Sequence, residues 1–184
     1  MIGIYETAID EIRDVFRKVD DAQVDECVRM IAAANRIVVF GGGREGLQIR
    51  GLAMRLFHMG LAASVVGDMT TPPVGPGDLF VVTVGPGEIS TALALLDVAR
   101  RAGAKILFIT ARPEGRGAAF ADRVLVLPAQ TMADDQGAQI RSTLPMGSLY
   151  EGCLFVLFEV IILKLRDYLK IDPQDMRRRH TNLE

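Results

Sequence analysis

Residues 36–60, RIVVFGGGREGLQIRGLAMRLFHMG, decide the fold of this chain. The stretch opens with a short apolar run at 37–40, and three consecutive glycines follow at once. Apolar residues then recur at helical spacing, so the pattern predicts a strand, a tight turn and a helix. Free N–H groups at the start of such a helix suit an anion, most often a phosphate. The glycines can also serve only to permit the tight turn, so both interpretations stay open.

Further apolar segments repeat this alternation of strands and helices. Strands are predicted at residues 37–40, 62–66, 79–84, 105–110 and 123–127, and a helix at 88–102. Such alternation predicts a parallel sheet with right-handed crossovers, whose ligands bind beyond the carboxyl ends of the strands at the switch point. A second glycine turn, Gly85-Pro86-Gly87, follows the third strand, so the two turns are expected to flank that point together.

Helices are predicted at both ends of this α/β unit. The first carries an apolar stripe narrow enough to be a seam between subunits, namely Ile2, Tyr5, Ile9, Ile12, Phe16 and Val19. A second helix begins after a cap at Asp20 or Asp21. A long helix at 147–169 is interrupted by charges, which leaves less than the ~20 apolar residues of a membrane span. We therefore expect it to be buried between subunits.

Length and composition favour a single cytosolic domain. The chain has 184 residues, of which 49% are hydrophobic, enough for a sizeable core. Its net charge of −2 gives no general basic surface, so no nucleic acid partner is expected. Cys27 and Cys153 lie far apart in apolar helical context and indicate a reduced compartment. The acidic, amphipathic N-terminus is unlike a signal peptide, so a cytoplasmic location without membrane contact is predicted.

Four segments give the chain a family resemblance. They are GGGREG (41–46) with AMRLFHMG (53–60), GDMTTP (67–72), LPMGSLYE (144–151) and MRRRHTNLE (176–184). With these the chain resembles sugar isomerase (SIS) domains, and most closely 6-phospho-3-hexuloisomerases. The resemblance implies a three-layer αβα sandwich around a five-stranded parallel sheet, in one domain. Residues 1–34 and 146–184 would form the terminal helices, used for oligomerisation, and residues 35–128 the α/β core.

The resemblance also implies an activity and its partners. The reaction would interconvert a 6-phosphorylated 3-hexulose and fructose 6-phosphate without a metal or organic cofactor, in a homodimer or homotetramer. Glu151 matches the candidate base of the family, and its place at the start of an apolar helix predicts a raised pKa. His180 matches a C-terminal histidine that opens the sugar ring from a neighbouring subunit. The other candidate substrate-binding residues are Gly42, Gly43, Arg44, Glu45, Thr71, Gly85, Gly87, Glu88, Ser90 and Ser148.

The phosphate loops depart from the pattern of the family. Hydroxyl positions hold Glu45, Val84, Pro86 and Ile89 instead, and Pro86 also lacks an N–H group. A Glu45 carboxylate at ~4 Å from a phosphate would cost on the order of 4 kcal/mol unless Arg44 or Arg112 neutralised it. Two interpretations follow. The first is an isomerase that holds its sugar phosphate differently or acts on a sugar derivative with less anionic charge. The second is a non-catalytic sensor or regulatory subunit that binds a sugar derivative. A nucleotide-binding protein is disfavoured, because no GxGxxG motif with a ribose-binding acid is found.

Overall fold

The computed structural model describes residues 2–183, so Met1 and Glu184, the last residue of the terminal motif, lie outside it. Helices alternate with strands along most of the chain, as the apolar pattern predicted. The helices are α1 (Ile2–Phe16), α2 (Asp21–Ala33), α3 (Gly43–His58), α4 (Ser90–Arg101), α5 (Ser148–Leu169) and α6 (Pro173–Arg178). The strands are β1 (Ile37–Gly41), β2 (Ala63–Val65), β3 (Leu79–Thr83), β4 (Lys105–Thr110) and β5 (Arg123–Val126).

The five strands described within residues 2–183 form one parallel sheet in the order β2-β1-β3-β4-β5. The order reverses between β1 and β3, whose register pairs Gly41 with Thr83 at the carboxyl end. The side chains of β3 are all buried, because helices cover both faces of this central strand. The predicted α/β fold with a five-stranded parallel sheet is therefore confirmed, and the switch point lies between the two glycine turns.

Two apolar cores lie on opposite faces of the sheet. The larger joins α1, α2, α3 and α5 to one face, and the smaller joins α4 and the turn at Arg116–Phe120 to the other. Helix α5 contacts α1, α2 and α3, and nine of its side chains are buried, among them Tyr150, Leu154 and Phe158. It is long and apolar enough to span a membrane by composition, yet half of that stretch is buried inside the chain. Most of the apolar side chains of α5 thus belong to the chain's own core, and its exposed apolar side chains, Phe155, Leu163 and Tyr168, are left for the expected burial between subunits.

Helix α1 packs only part of its predicted stripe against the chain. Ile12, Phe16 and Val19 pack against the larger core, whereas Tyr5 and Ile9 are 72% and 58% exposed. The side chain of Ile2, the first residue of the stripe, lies outside the described set. Two of the five described positions of the stripe, Tyr5 and Ile9, thus remain an exposed apolar surface, as a seam between subunits requires.

The predicted start of α4 is two residues too early, since the helix begins at Ser90. Gly87 has φ +87° and Ile89 is extended, with φ −142° and ψ 135°. The backbone after the second glycine turn therefore runs on as a loop, which leaves Glu88 outside the helix. At α2 the cap is Asp20, whose carboxylate accepts a hydrogen bond from the Ala22 N–H (2.9 Å).

Replacing Gly46 by Ala is expected to lower the free energy of unfolding, because α3 lies close to the end of β1. A Cβ at position 46 would lie 2.7 Å from the Gly41 carbonyl oxygen, whereas a Cβ at Gly51 meets nothing within 4 Å. Gly51→Ala should stabilise by about 0.5–1 kcal/mol through helix propensity. Gly46→Ala gains the same helix-propensity contribution, but overpacking lowers its free energy of unfolding by about 1–3 kcal/mol. Urea denaturation of both variants measures this difference, and equal stabilities would contradict the close approach.

Candidate active site

The two glycine turns meet at the carboxyl edge of the sheet. Gly42 ends the first turn in extended conformation and precedes α3. A Cβ at Gly42 would lie only 2.7 Å from the Cδ1 atom of Ile89, which precedes α4. The Ile89 side chain therefore fills the space between the two turns, where a ligand of an open α/β sheet is normally bound.

Hydrogen bonds fix the second glycine turn from three sides. The Gly87 N–H donates to the Val84 carbonyl oxygen (3.0 Å), and the Gly87 carbonyl oxygen accepts from the Gly117 N–H (3.0 Å). The Gly85 carbonyl oxygen accepts from the Ala111 N–H (3.1 Å). Pro86 has no N–H to offer. Of the turn's donors, only the Gly85 N–H points toward the first turn.

The Glu45 carboxylate accepts a hydrogen bond from this Gly85 N–H group. Its side chain is buried, and its two carboxylate oxygens accept from the Gly85 N–H at 3.0 and 3.1 Å. The Thr83 hydroxyl donates to Glu45 Oε2 (2.8 Å) and lies 3.2 Å from the hydroxyl of the buried Tyr150. When Glu45 is ionised, the single Thr83 proton points to its carboxylate, so the Tyr150 hydroxyl donates to Thr83. This network joins the first turn of α3, the end of β3 and the first turn of α5.

The structure changes the charge expected at Glu45. Burial raises the pKa of Glu45 to about 7, although hydrogen bonds from Gly85 and Thr83 lower it. Neither predicted arginine neutralises it, since Arg44 pairs with Glu151 and Arg112 pairs with Asp134. Glu45 is therefore a buried carboxyl that is about half protonated near neutral pH, not an exposed charge facing a phosphate.

The raised pKa of Glu45 predicts a pH-dependent stability. The pKa of a glutamate in the unfolded chain is about 4.3. Between this pH and about pH 7, the folded protein therefore binds more protons than the unfolded chain. The favourable contribution of Glu45 to the free energy of unfolding is fully present below about pH 4 and is lost as the pH rises through about 7. As the pH rises from about 5 to about 8, the free energy of unfolding of Glu45→Gln should therefore increase by about 2–3 kcal/mol relative to that of the parent. Urea denaturation at both pH values tests this, with the exposed Glu88→Gln as control, and a pH-independent difference would contradict it.

A second cluster joins α3 to α5 at the mouth of the crevice. The Arg44 Nε atom lies 3.0 Å from Glu151 Oε1, and its Nη1 atom donates to the Ser148 hydroxyl (3.2 Å). The side chain of Glu151 is only 16% exposed, whereas that of Arg44 is 42% exposed. Desolvation raises the pKa of Glu151, and the Arg44 charge opposes that shift. Glu151 is thus an oriented carboxylate with enhanced basicity.

The backbone before α5 is held in an uncommon conformation by this cluster. Met146 and Gly147 both have positive φ, 57° and 77°. Met146 is a non-glycine residue in the left-handed region, which is uncommon. Arg44 Nη2 donates to the Met146 carbonyl oxygen, and the Gly147 N–H donates to Asp135 (3.3 Å). These contacts set the direction in which α5 starts and hence the position of Glu151.

The other predicted substrate-binding residues have mixed surroundings. Gly43 and Ser90 are exposed at the starts of α3 and α4. Glu88 is exposed and lies 3.8 Å from Arg116. The Thr71 hydroxyl donates to the Val65 carbonyl oxygen (2.6 Å), which closes the loop after β2. Of these four, Gly43 and Ser90 present the first-turn N–H groups of a helix to the crevice.

His180 lies far from Glu151 of the same chain. Its ring centroid is 5.1 Å from that of His58 at the C-terminal end of α3, and Arg179 Nη1 donates to the His58 carbonyl oxygen (3.3 Å). Arg44 contacts Glu151 at the opposite end of α3. Fourteen residues of helix separate these ends by about 21 Å. Within one chain, His180 therefore does not reach the cluster of Arg44 and Glu151.

Sequence reasoning did not single out Thr83, Tyr150 or the Met146 carbonyl group. A signal existed for the first two, since Thr83 is the polar residue that ends an apolar strand and Tyr150 precedes Glu151. The part played by Met146 depends on its backbone conformation and has no signal in the sequence. Among residues 2–183, no group of three or more His, Cys, Asp and Glu side chains is arranged to hold a metal ion.

The sheet order and the paired glycine turns define an α/β protein with a ligand crevice at the switch point. The family model for the SIS domain matches residues 30–154, and the chain belongs to this family. It is 40% identical over 175 residues to a 3-hexulose-6-phosphate isomerase of Mycobacterium gastri, covering 95% of this chain and 87% of the relative. It is 33% identical to a 3-hexulose-6-phosphate isomerase of Methylomonas aminofaciens, and the match covers 97% of each chain.

Solved structures agree with this membership. A hypothetical protein from Methanococcus jannaschii, for which a 3-hexulose-6-phosphate isomerase function was inferred from its crystal structure, superposes with a TM-score of 0.84. Its sequence is 27% identical, and 98% of each chain is covered. The predicted SIS fold and the resemblance to hexulose phosphate isomerases are confirmed.

Proposed function

We propose that the protein is a sugar-phosphate isomerase that interconverts a 6-phosphorylated 3-hexulose and fructose 6-phosphate through an enediol. One observation carries the proposal: the Glu151 carboxylate lies at the mouth of the switch-point crevice, largely desolvated and 3.0 Å from Arg44. The relatives named 3-hexulose-6-phosphate isomerase support the choice of substrate.

Glu151 acts as the general base of this reaction. Its carboxylate removes the proton from C2 of the 3-ketose, and the electron pair forms the C2–C3 double bond of an enediol. The C3 carbonyl oxygen takes up a proton as the enediol forms, and the O2 hydroxyl gives one up as it becomes the new carbonyl group, so a proton passes from O2 to O3. The proton from C2 is returned to C3, so one carboxylate on one face of the sugar serves both transfers at carbon. A desolvated carboxylate with a raised pKa suits this task, because general-base catalysis is most effective when the pKa lies near the working pH.

Arg44 orients the base. Its guanidinium contacts the Glu151 carboxylate, the Ser148 hydroxyl and the Met146 carbonyl group together, so the first turn of α5 is fixed relative to α3. The Arg44 charge also keeps Glu151 ionised against the desolvation that raises its pKa. The phosphate of the substrate binds at the first turns of α3 and α4, where Gly43 and Ser90 are exposed.

His180 acts in the crevice of a neighbouring subunit, where it moves hydroxyl protons during ring opening. Exposed apolar side chains on the helices of one face support a homo-oligomer. They are Ile4, Tyr5 and Ile9 on α1, Leu47, Met54 and Phe57 on α3, and Phe155 on α5. The enzyme works in the cytosol as a dimer or tetramer of this kind.

Solvent exchange tests the proposed function. The purified protein is incubated with fructose 6-phosphate in deuterium oxide, and the sugar is analysed for deuterium at the exchanging carbons. Exchange together with formation of a second ketose is the expected result. Absence of both exchange and turnover at saturating sugar would overturn the proposed catalytic function.

A second candidate function rests on the rebuilt phosphate loops. Glu45 and Ile89 occupy the space between the two glycine turns, which suits a protein that binds a sugar derivative as a sensor or regulatory subunit. In the same experiment, binding of fructose 6-phosphate without deuterium exchange would favour this function.

A further inference from the structure

The donors between the two glycine turns already hold an oxyanion group. The Gly85 N–H is shared between both oxygens of Glu45, at 3.0 and 3.1 Å, and the Thr83 hydroxyl donates to Oε2 at 2.8 Å. These are distances of well-formed hydrogen bonds. Backbone N–H and hydroxyl groups are also the donors that bind phosphate oxygens. The place is therefore an oxyanion position, occupied by a carboxyl group of the protein itself.

The position lies where a ligand of this fold belongs. Thr83 and Gly85 stand at the carboxyl end of β3, next to the end of β1, across the reversal in strand order. Ile89 packs against Gly42 and fills the adjoining space, and Pro86 supplies no donor. Two side chains, Glu45 from α3 and Ile89 from the loop before α4, thus occupy the region between the turns.

We propose that Glu45 is a specificity-determining residue that competes with the phosphate of the substrate for the Gly85 N–H. Its carboxyl group excludes a phosphate from the deepest part of the crevice by occupying the donors there. Sugar phosphates therefore bind in a shallower position and more weakly than they would with a small hydroxyl side chain at position 45. This inference rests on the proposed function, since it takes the substrate to carry a phosphate.

Calorimetric titration with inorganic phosphate and with fructose 6-phosphate tests the competition in four proteins. They are the parent protein, Glu45→Ser, Glu45→Gln and Glu114→Ser. Glu45→Ser frees the Gly85 N–H and adds a hydroxyl, so both dissociation constants are expected to fall at least about tenfold. Glu45→Gln keeps the side-chain volume and an oxygen that accepts from Gly85. Its dissociation constants should stay within about twofold of the parent, a change of less than about 0.5 kcal/mol.

Glu114→Ser is the control for charge alone. It removes an exposed carboxylate next to Gly115, which packs against Gly87 of the second glycine turn, so it should leave both constants within about twofold. Unchanged affinities in Glu45→Ser would overturn the proposal. An equal gain in Glu45→Gln or in Glu114→Ser would overturn it too, because charge and not occupation would then control binding.

Two further points keep the test decisive. If Glu45→Ser fails to fold, Glu45→Asp replaces it, since a side chain one methylene shorter retains its charge but withdraws from Gly85. A gain of at least threefold is then expected, and no gain overturns the proposal. The titrations measure binding alone, so failure of the proposed catalytic function would appear in solvent exchange and not here.

Discussion

Replacing Glu151 by Gln is expected to lower kcat by about 10²–10⁴-fold, the usual contribution of a general base. Glutamine has the same shape, and its carboxamide oxygen can still accept from Arg44, so the first turn of α5 should keep its position. What is lost is the group that we propose takes the proton from C2. Solvent deuterium exchange into fructose 6-phosphate should fall in the same proportion, while the affinity for the sugar should change little.

Glu159→Gln is the matched control for this prediction. Glu159 lies two turns further along α5 and pairs with Arg55 of α3 at 3.2 Å, so it repeats the geometry of the Arg44–Glu151 pair away from the crevice. Its replacement should leave kcat within about twofold, since a partly exposed ion pair contributes about 0–1 kcal/mol to stability. Equal losses in both variants would mean that the α3–α5 packing, and not a base, is what Glu151 provides.

The pH profile gives an independent check on Glu151. Desolvation raises the pKa of this carboxyl above its ordinary value, and Arg44 limits the rise. The base works when deprotonated, so kcat should fall as the pH drops through that raised pKa. Arg44→Gln removes the opposing charge and should move this acidic limb to higher pH.

The course of the chain was predictable because it depends on local patterns. Short apolar runs placed all five strands, and the strand at Lys105–Thr110 has the predicted bounds. The start of α4 was not predictable, since Ile89 is extended and fills space beside Gly42, which is distant in sequence. How α5 divides its apolar surface was not predictable for a related reason, because apolarity does not say whether a helix is covered by its own chain or by a partner.

The site was predictable as a set of residues but not as an arrangement. The sequence placed Arg44, Ser148 and Glu151 among the candidates, and the structure brings these three into contact. The orientation of Glu45 depends on a hydrogen bond to Gly85, 40 positions along the chain, and no local pattern encodes it. Burial then changes its pKa, so a charge argument made from sequence spacing alone does not hold.

Mixing two inactive variants is expected to restore activity if His180 works across a subunit boundary. Glu151→Gln lacks the base, and His180→Asn should lower kcat about 10²-fold or more by removing a proton-transfer group. Within one chain, Glu151 contacts Arg44 at one end of α3 and His180 lies beside His58 at the other, and these ends are about 21 Å apart. The tail is tied to His58 at the far end by Arg179, so only a neighbouring subunit can bring the two groups together.

The expected recovery follows from counting intact sites. The two variants are unfolded together at equal concentrations and refolded, so that subunits assort randomly. A site is intact when its Glu151 comes from the His180→Asn chain and its His180 from the Glu151→Gln chain. Each condition holds for half of the subunits, so about a quarter of parental activity should return in a symmetric oligomer. If both groups came from one chain, every site would keep one defect, and mixing would leave activity at the level of the separate variants.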